Sequence, residues 1–171
     1  MVDGEPQRVV SHAELYPNTI RVEEPVITHR FLAVATNPTI HLDGWDSLKD
    51  TSYRVEYGIG GVTTQTNLER VVKADLLSAV PSREQGLKKL KAGRTDIFVE
   101  MDTRVLPLIE TPEFKDAGIV TVGVMQSKEF YPQLHKKHSE LAPKLAEVLR
   151  QMKAEGVYER LQKETMPFLS K

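Results

Sequence analysis

The residues best suited to chemistry lie in Tyr53-Arg54-Val55-Glu56-Tyr57-Gly58-Ile59-Gly60-Gly61-Val62-Thr63-Thr64-Gln65, where a β-branched and aromatic run leads through a glycine-rich turn into a helix start. Glycine lets the backbone turn tightly and approach a ligand. The unpaired N–H groups of a first helical turn, together with the hydroxyls of Thr63 and Thr64, can donate to a carboxylate or phosphate. The same residues suit a plain turn with a threonine N-cap, and residue types alone leave both readings open. A nucleotide site fits less well. Gly58 and Gly60 supply only part of a dinucleotide fingerprint, Thr63 stands at its third glycine, and no Gly-Lys-Ser/Thr follows.

A further segment, Gly86 to Asp102, reads as a helix stopped at Gly93 and a strand that delivers acids at its carboxyl end, where ligands bind in open α/β sheets. Glu100 or Asp102 could accept a ligand ammonium group there; the plain alternative is an exposed charge at a helix entry. Asp96, at the start of that strand, reads as a local cap or a partner of Arg94. His135-Lys136-Lys137-His138 places two imidazoles at helical spacing, but the lysines repel a cation and no third ligand is evident, so a solvated helix face is expected and no metal. His12, His29 and His41 lie in separate segments without a serine elbow, which gives no triad and no cofactor chemistry. Trp45, after Gly44, could stack on a ligand or pack beside the turn.

Strands and helices must position these groups. Strand-like runs occur at Arg8 to Ser11, Thr19 to Val22, Phe31 to Ala35, Tyr53 to Glu56, Asp96 to Val99 and Ile119 to Val124. Between them, Ser82 with Gln85 makes a capping-box signature for a helix that runs to Ala92. A second helix begins near Ser139, with Leu141, Leu145, Val148, Leu149 and Met152 on one face before Gly156, and Tyr158 and Leu161 suggest a short closing helix. The alternation predicts an α/β fold with mainly parallel sheets and right-handed crossovers.

Composition narrows the partners. The 171 residues are 40% hydrophobic and 27% charged, with a formal net charge of -1, which gives no general attraction to nucleic acid or anionic membranes. No apolar run approaches the roughly 20 residues that span a bilayer, and Met1 to Val10 shows neither the basic start nor the apolar stretch of a secretion signal. There are no cysteines, so disulfides and thiolate chemistry are excluded while the compartment stays open.

Taken in order, these segments resemble the second lobe of the extracellular solute-binding protein family 3, the type 2 periplasmic binding proteins of amino-acid ABC transporters. Leu42 to Asp50 is similar to the family's strand exit followed by Asp-Leu-x-Gly, Arg54-Val55 to its next strand, and Gly60 to Thr64 to its Gly-Thr-Thr anion loop. Leu90 to Asp96 resembles its Leu-x-x-Gly-Arg-x-Asp, Ile119 to Val124 its second crossing strand, and Leu145 to Tyr158 its helical ending. The resemblance implies a complete second lobe over 37–117 and a partial first lobe built from 1–36 and 118–171, lacking the family's opening strand-helix units. It implies an anion held by Gly60, Gly61, Thr63 and Thr64, facing Glu100 and Asp102. Arg21 is a candidate carboxylate ligand by content only, and Met101 stands where many amino-acid binders carry an ammonium-binding aspartate.

The function implied is binding of a small polar solute, an amino acid or related organic anion, without a cofactor, in a periplasmic transport or sensor protein. An ABC transporter permease or receptor would be the partner. The alternatives are an enzyme on the same scaffold, dehydratase-like, with Glu100 and Asp102 as acid and base, or a shortened member acting as a homodimer, with Val9 to Val34 and the Leu141 to Met152 helix partnered by another copy.

Overall fold

The computed structural model describes residues 3–10 and 16–170, so Ser11 and His12 lie outside the described residues. In chain order the elements are β1 (Gly4–Arg8), β2 (Thr19–Arg21), β3 (Ile27–Ala35), β4 (Leu42–Asp43), β5 (Val55–Gly58), α1 (Val62–Val71), β6 (Leu77–Val80), α2 (Arg83–Lys91), β7 (Ile97–Met101), α3 (Asp102–Ile109), β8 (Val120–His135), α4 (Leu141–Ala154) and α5 (Val157–Thr165), with short 3-10 turns between some of them. They divide into two compact units, one of residues 1–29 and 128–171 and one of residues 30–127, with the seams inside β3 and β8.

The unit of residues 30–127 holds strands in the order β3-β7-β5-β6. β5 runs parallel to both β6 and β7, and β3 runs antiparallel to β7. Residues of a strand alternate between faces, and here both faces are covered. Val55, Tyr57, Ile97 and Val99 join one core with Leu48, Leu68 and Trp45, whereas Phe98 joins Leu87, Leu90, Val105 and Phe114 in the other. Burial on both sides explains why Ile97-Phe98-Val99 reads as a continuous apolar run. The same alternation turns Glu56 and Glu100 toward α2.

Helix α2 forms as its sequence predicts. Ser82 Oγ accepts from the Gln85 N–H at 3.2 Å, and Gly93, at φ 66°, lets the Arg94 N–H close onto the Lys89 carbonyl at 2.9 Å. Its middle packs tightly on β7, because Gly86 leaves room for the Phe98 ring.

The other unit pairs β1 and β2 antiparallel with the far half of β8. Its core is small: Val22, Ala142 and Ala146, with Ile20, Leu134, Leu145 and Leu149 packed around them. Leu149, Met152 and Leu161 line an apolar groove with Ile27 and Tyr158.

Several sequence expectations are corrected. The first strand is Gly4–Arg8 rather than the Val9-Val10 run, because pairing with β8, not side-chain propensity, selects the register. β6 carries no alternating signal, since Ser78 and Ala79 are exposed. β8 continues to His135, far past Val124. Glu140, not Ser139, precedes α4; Ser139 instead closes a 3-10 turn through its N–H to the Lys136 carbonyl. On α4 the buried stripe is Ala142 and Ala146, with Leu141 and Val148 about half exposed. Asp96 pairs with Arg54, not Arg94: its carboxylate takes Nη2 at 2.7 Å, Nε at 3.0 Å and the Arg54 backbone N–H at 2.8 Å.

The Arg54 hydrogen bonds hold the Asp96 carboxyl below the usual carboxylate range. A depressed folded-state pKa contributes stability that is present above the unfolded value of about 3.9 and is lost as pH falls through the folded one. Asp96→Asn is therefore expected to destabilise by about 1 kcal/mol at pH 7, with the deficit vanishing in acid below both values. Urea unfolding followed by the fluorescence of Trp45, at pH 7 and pH 3, checks this; a deficit that grew in acid would refute it.

Candidate functional site

Parallel strands joined by helices bring every strand exit to one edge. In the unit of residues 30–127, β5 leads into α1, β6 into α2 and β7 into α3 along that edge.

After β5 the chain turns at Gly60, whose φ of 90° suits glycine. The Ile59 N–H donates to the Val80 carbonyl at 2.9 Å and the Gly61 N–H to the Gly58 carbonyl at 3.3 Å. Gly61 is the residue that caps α1, and no side chain caps this helix. The N-cap is thus glycine and not a threonine, which corrects the plain-turn reading. Internal bonding starts with the Gln65 N–H to the Gly61 carbonyl at 2.9 Å, leaving the first-turn amides of Val62, Thr63 and Thr64 as donors without helical acceptors. Thr64 is buried beneath the turn, its Oγ1 3.6 Å from where a Cβ on Gly61 would stand. Thr63 is half-buried and its carbonyl accepts from Asn67 Nδ2 at 2.8 Å.

Both acids at the end of β7 are buried. Glu100 Oε2 accepts from Arg83 Nε at 2.9 Å, and Oε1 accepts from the Met101 N–H at 2.8 Å with Arg104 Nη1 3.7 Å away. Gly58 stands directly against this pair: a Cβ there would lie 2.9 Å from Glu100 Oε2. Gly58 therefore joins the turn before α1 to the Glu100–Arg83 pair. Asp102 Oδ2 accepts from the backbone N–H and Nε of Arg30, each at 3.1 Å, and Oδ1 accepts from the Thr103 N–H at 2.8 Å.

The remaining sequence candidates lie elsewhere. Arg21 belongs to the other unit, where Glu23 takes its Nη2 at 2.7 Å and its Nε at 3.0 Å, and its guanidinium lies over Tyr131. Lys136–His138 form a 3-10 turn rather than an α-helical face, with Lys137 and His138 at Asp3 and His135 Nδ1 accepting from the Lys137 N–H. His29 is buried edge-on to Phe130, His41 is exposed, and Trp45 packs on Phe31 while its Nε1 donates to Gln126 at 3.2 Å. Among the described residues, no group of three His, Cys, Asp or Glu side chains could hold a metal ion.

Sequence reasoning missed Arg83, Arg30 and the close approach at Gly58. One signal was present: Arg83 directly follows the N-cap Ser82, where the helix dipole disfavours a cation and an acid partner offsets the cost.

No family model matches the chain. An uncharacterized protein of Shewanella oneidensis is 36% identical over 159 residues, covering 93% of this chain; the chain spans 60% of that relative. Among solved structures, the L-cystine solute receptor of Neisseria gonorrhoeae in its unliganded open conformation superposes with a TM-score of 0.70 at 16% identity, over 92% of this chain and 64% of that one. An amino acid ABC transporter substrate-binding protein from Streptococcus pneumoniae, bound to L-arginine, gives 0.67 at 12% identity, over 95% and 66%.

Proposed function

We propose that this chain, which has the type 2 periplasmic-binding-protein fold, binds a small polar solute at the carboxyl edge of β5 and β7. The observation that carries the reading is the first turn of α1, which no side chain caps, set beside Gly58 and the buried Glu100–Arg83 pair at the edge where this sheet type binds ligands. Gly60 and Gly61 shape the turn, the amides of Val62 to Thr64 and the Thr63 and Thr64 hydroxyls face a ligand carboxylate, and Glu100 and Asp102 order the opposite wall. Two neighbours in fold, one described as a solute receptor and the other as a transporter substrate-binding protein, support an amino acid or related organic anion. They also support delivery of that solute to an ABC transporter permease or receptor from the periplasm. Binding by differential affinity for two conformations is the mechanism such a role needs.

Thermal-shift screening of the amino acids and common organic acids, followed by calorimetry, tests this. A hit should lose about 1–3 kcal/mol of binding in the Thr63→Val, Thr64→Val double variant, which removes two hydroxyl donors and preserves shape. Unchanged affinity would place the ligand elsewhere.

A further inference from the structure

Resting on that reading, we infer that the site selects a small polycarboxylic acid without an ammonium group, gripped by Arg83 through the guanidinium nitrogens that Glu100 leaves free. Glu100 is a positioning residue in this scheme. Each of its oxygens already accepts a hydrogen bond, and its side chain is only 4% exposed, so little of it is open to a ligand cation. Arg83 is the outward partner, 32% exposed. Its Nε is spent on Glu100, and among the described residues Nη1 and Nη2 have no partner. A guanidinium fixed at Nε presents its far edge as a planar fork suited to a carboxylate.

Charge points the same way. Among the described residues at the end of β7, Arg30 pairs with Asp102 while Arg83 and Arg104 both reach Glu100, so three guanidinium groups stand around these two acids. The acids lie inside and the guanidinium groups lie outward, each about a third or more exposed. The amides that open α1, joined to this cluster through Gly58, add partial positive charge. An ammonium ligand would meet like charge, whereas a second carboxylate is favoured. Met101, between the two acids, offers no counter-charge and packs on the core instead.

Calorimetric titration of the chain with succinate, citrate and L-arginine tests this, in the parent, in Arg83→Gln and in Arg83→Gln with Glu100→Gln. The double variant removes the buried charge together with its partner, and its melting curve checks the fold. One of the two acids should bind at least tenfold more tightly than L-arginine, and both variants should weaken that acid at least tenfold. L-arginine binding more tightly than either acid, with sensitivity to Thr63→Val and Thr64→Val, would overturn the inference and leave solute binding at this edge intact. Acid binding unchanged in the double variant would also overturn it. Failure of all three probes, and of every amino acid and organic acid screened, would remove both readings.

Discussion

Replacing Lys89 with Met is expected to cost roughly 3 kcal/mol of stability, the low end of the range for breaking a buried ion pair. Glu56 sits in the middle of β5 with none of its surface exposed, and it is held by Lys89 Nζ, by Ser78 Oγ at 2.9 Å and by Thr95 Oγ1 at 3.5 Å. Two neutral hydroxyls cannot offset the desolvation of a carboxylate. Lys89 is about one-third exposed, so water admitted by its loss softens the penalty and sets the low end. Adding Glu56→Gln to Lys89→Met should restore stability to within about 1 kcal/mol, since the amide keeps both hydroxyl partners and carries no charge. Urea unfolding read through Trp45, which lies in the same unit, measures both variants. A single variant within 1 kcal/mol of the parent, or a double variant worse than the single one, would refute the account. Ligand affinity should not change, because Lys89 lies near the far end of α2 from the proposed binding edge.

Lys89 and Arg83 together show how α2 is fixed. Of the cations on this helix, Lys89 in its last turn and Arg83 in its first each reach an acid on the facing side of the sheet: Glu56 on β5 and Glu100 on β7. The last-turn cation suits the helix dipole and the first-turn cation opposes it. The favourable pair lies away from the proposed ligand edge, and the unfavourable one stands at it.

These pairings mark the limit of what the sequence made legible. Features written in local order could be read: the Ser82 cap, the stop at Gly93, the buried run of β7 and the strand-turn-helix at Gly58 to Thr64. Each depends on residues within a few positions of one another. Partners across the fold could not be read. Asp96 finds Arg54 across 42 residues and Asp102 finds Arg30 across 72, because strand order, not sequence distance, decides which charges meet. The acids at the end of β7 were located by type, but that guanidinium groups already engage them depends on β3 lying antiparallel beside β7 and on α2 covering it. Likewise, Val9-Val10 has strong strand propensity yet stays outside β1, since β8 offers its partners to Gly4–Arg8.

The packing that brings Arg83 to Glu100 can be tested by a sign reversal. Phe98 is fully buried between α2 and β7, so Phe98→Ala is expected to cost about 3–5 kcal/mol through lost burial and the cavity left behind. Gly86→Ala alone should also destabilise, by about 1–3 kcal/mol, because the new Cβ would stand 2.4 Å from Phe98 Cε2 in a core that cannot yield. That clash outweighs the gain of about 1 kcal/mol that alanine brings to a helix interior. With the ring removed, the balance changes: the same methyl enters open space, fills part of the cavity and keeps its helical preference. Gly86→Ala in the Phe98→Ala background should therefore stabilise by about 1 kcal/mol, a reversal measurable in a double-mutant cycle by urea unfolding. An additive cycle would mean that α2 already stands off from β7. The approach of α2 to β7 also sets the reach of its first turn, so Gly86→Ala alone should lengthen the Arg83–Glu100 contact and weaken whatever ligand depends on Arg83, whereas Lys89→Met should not.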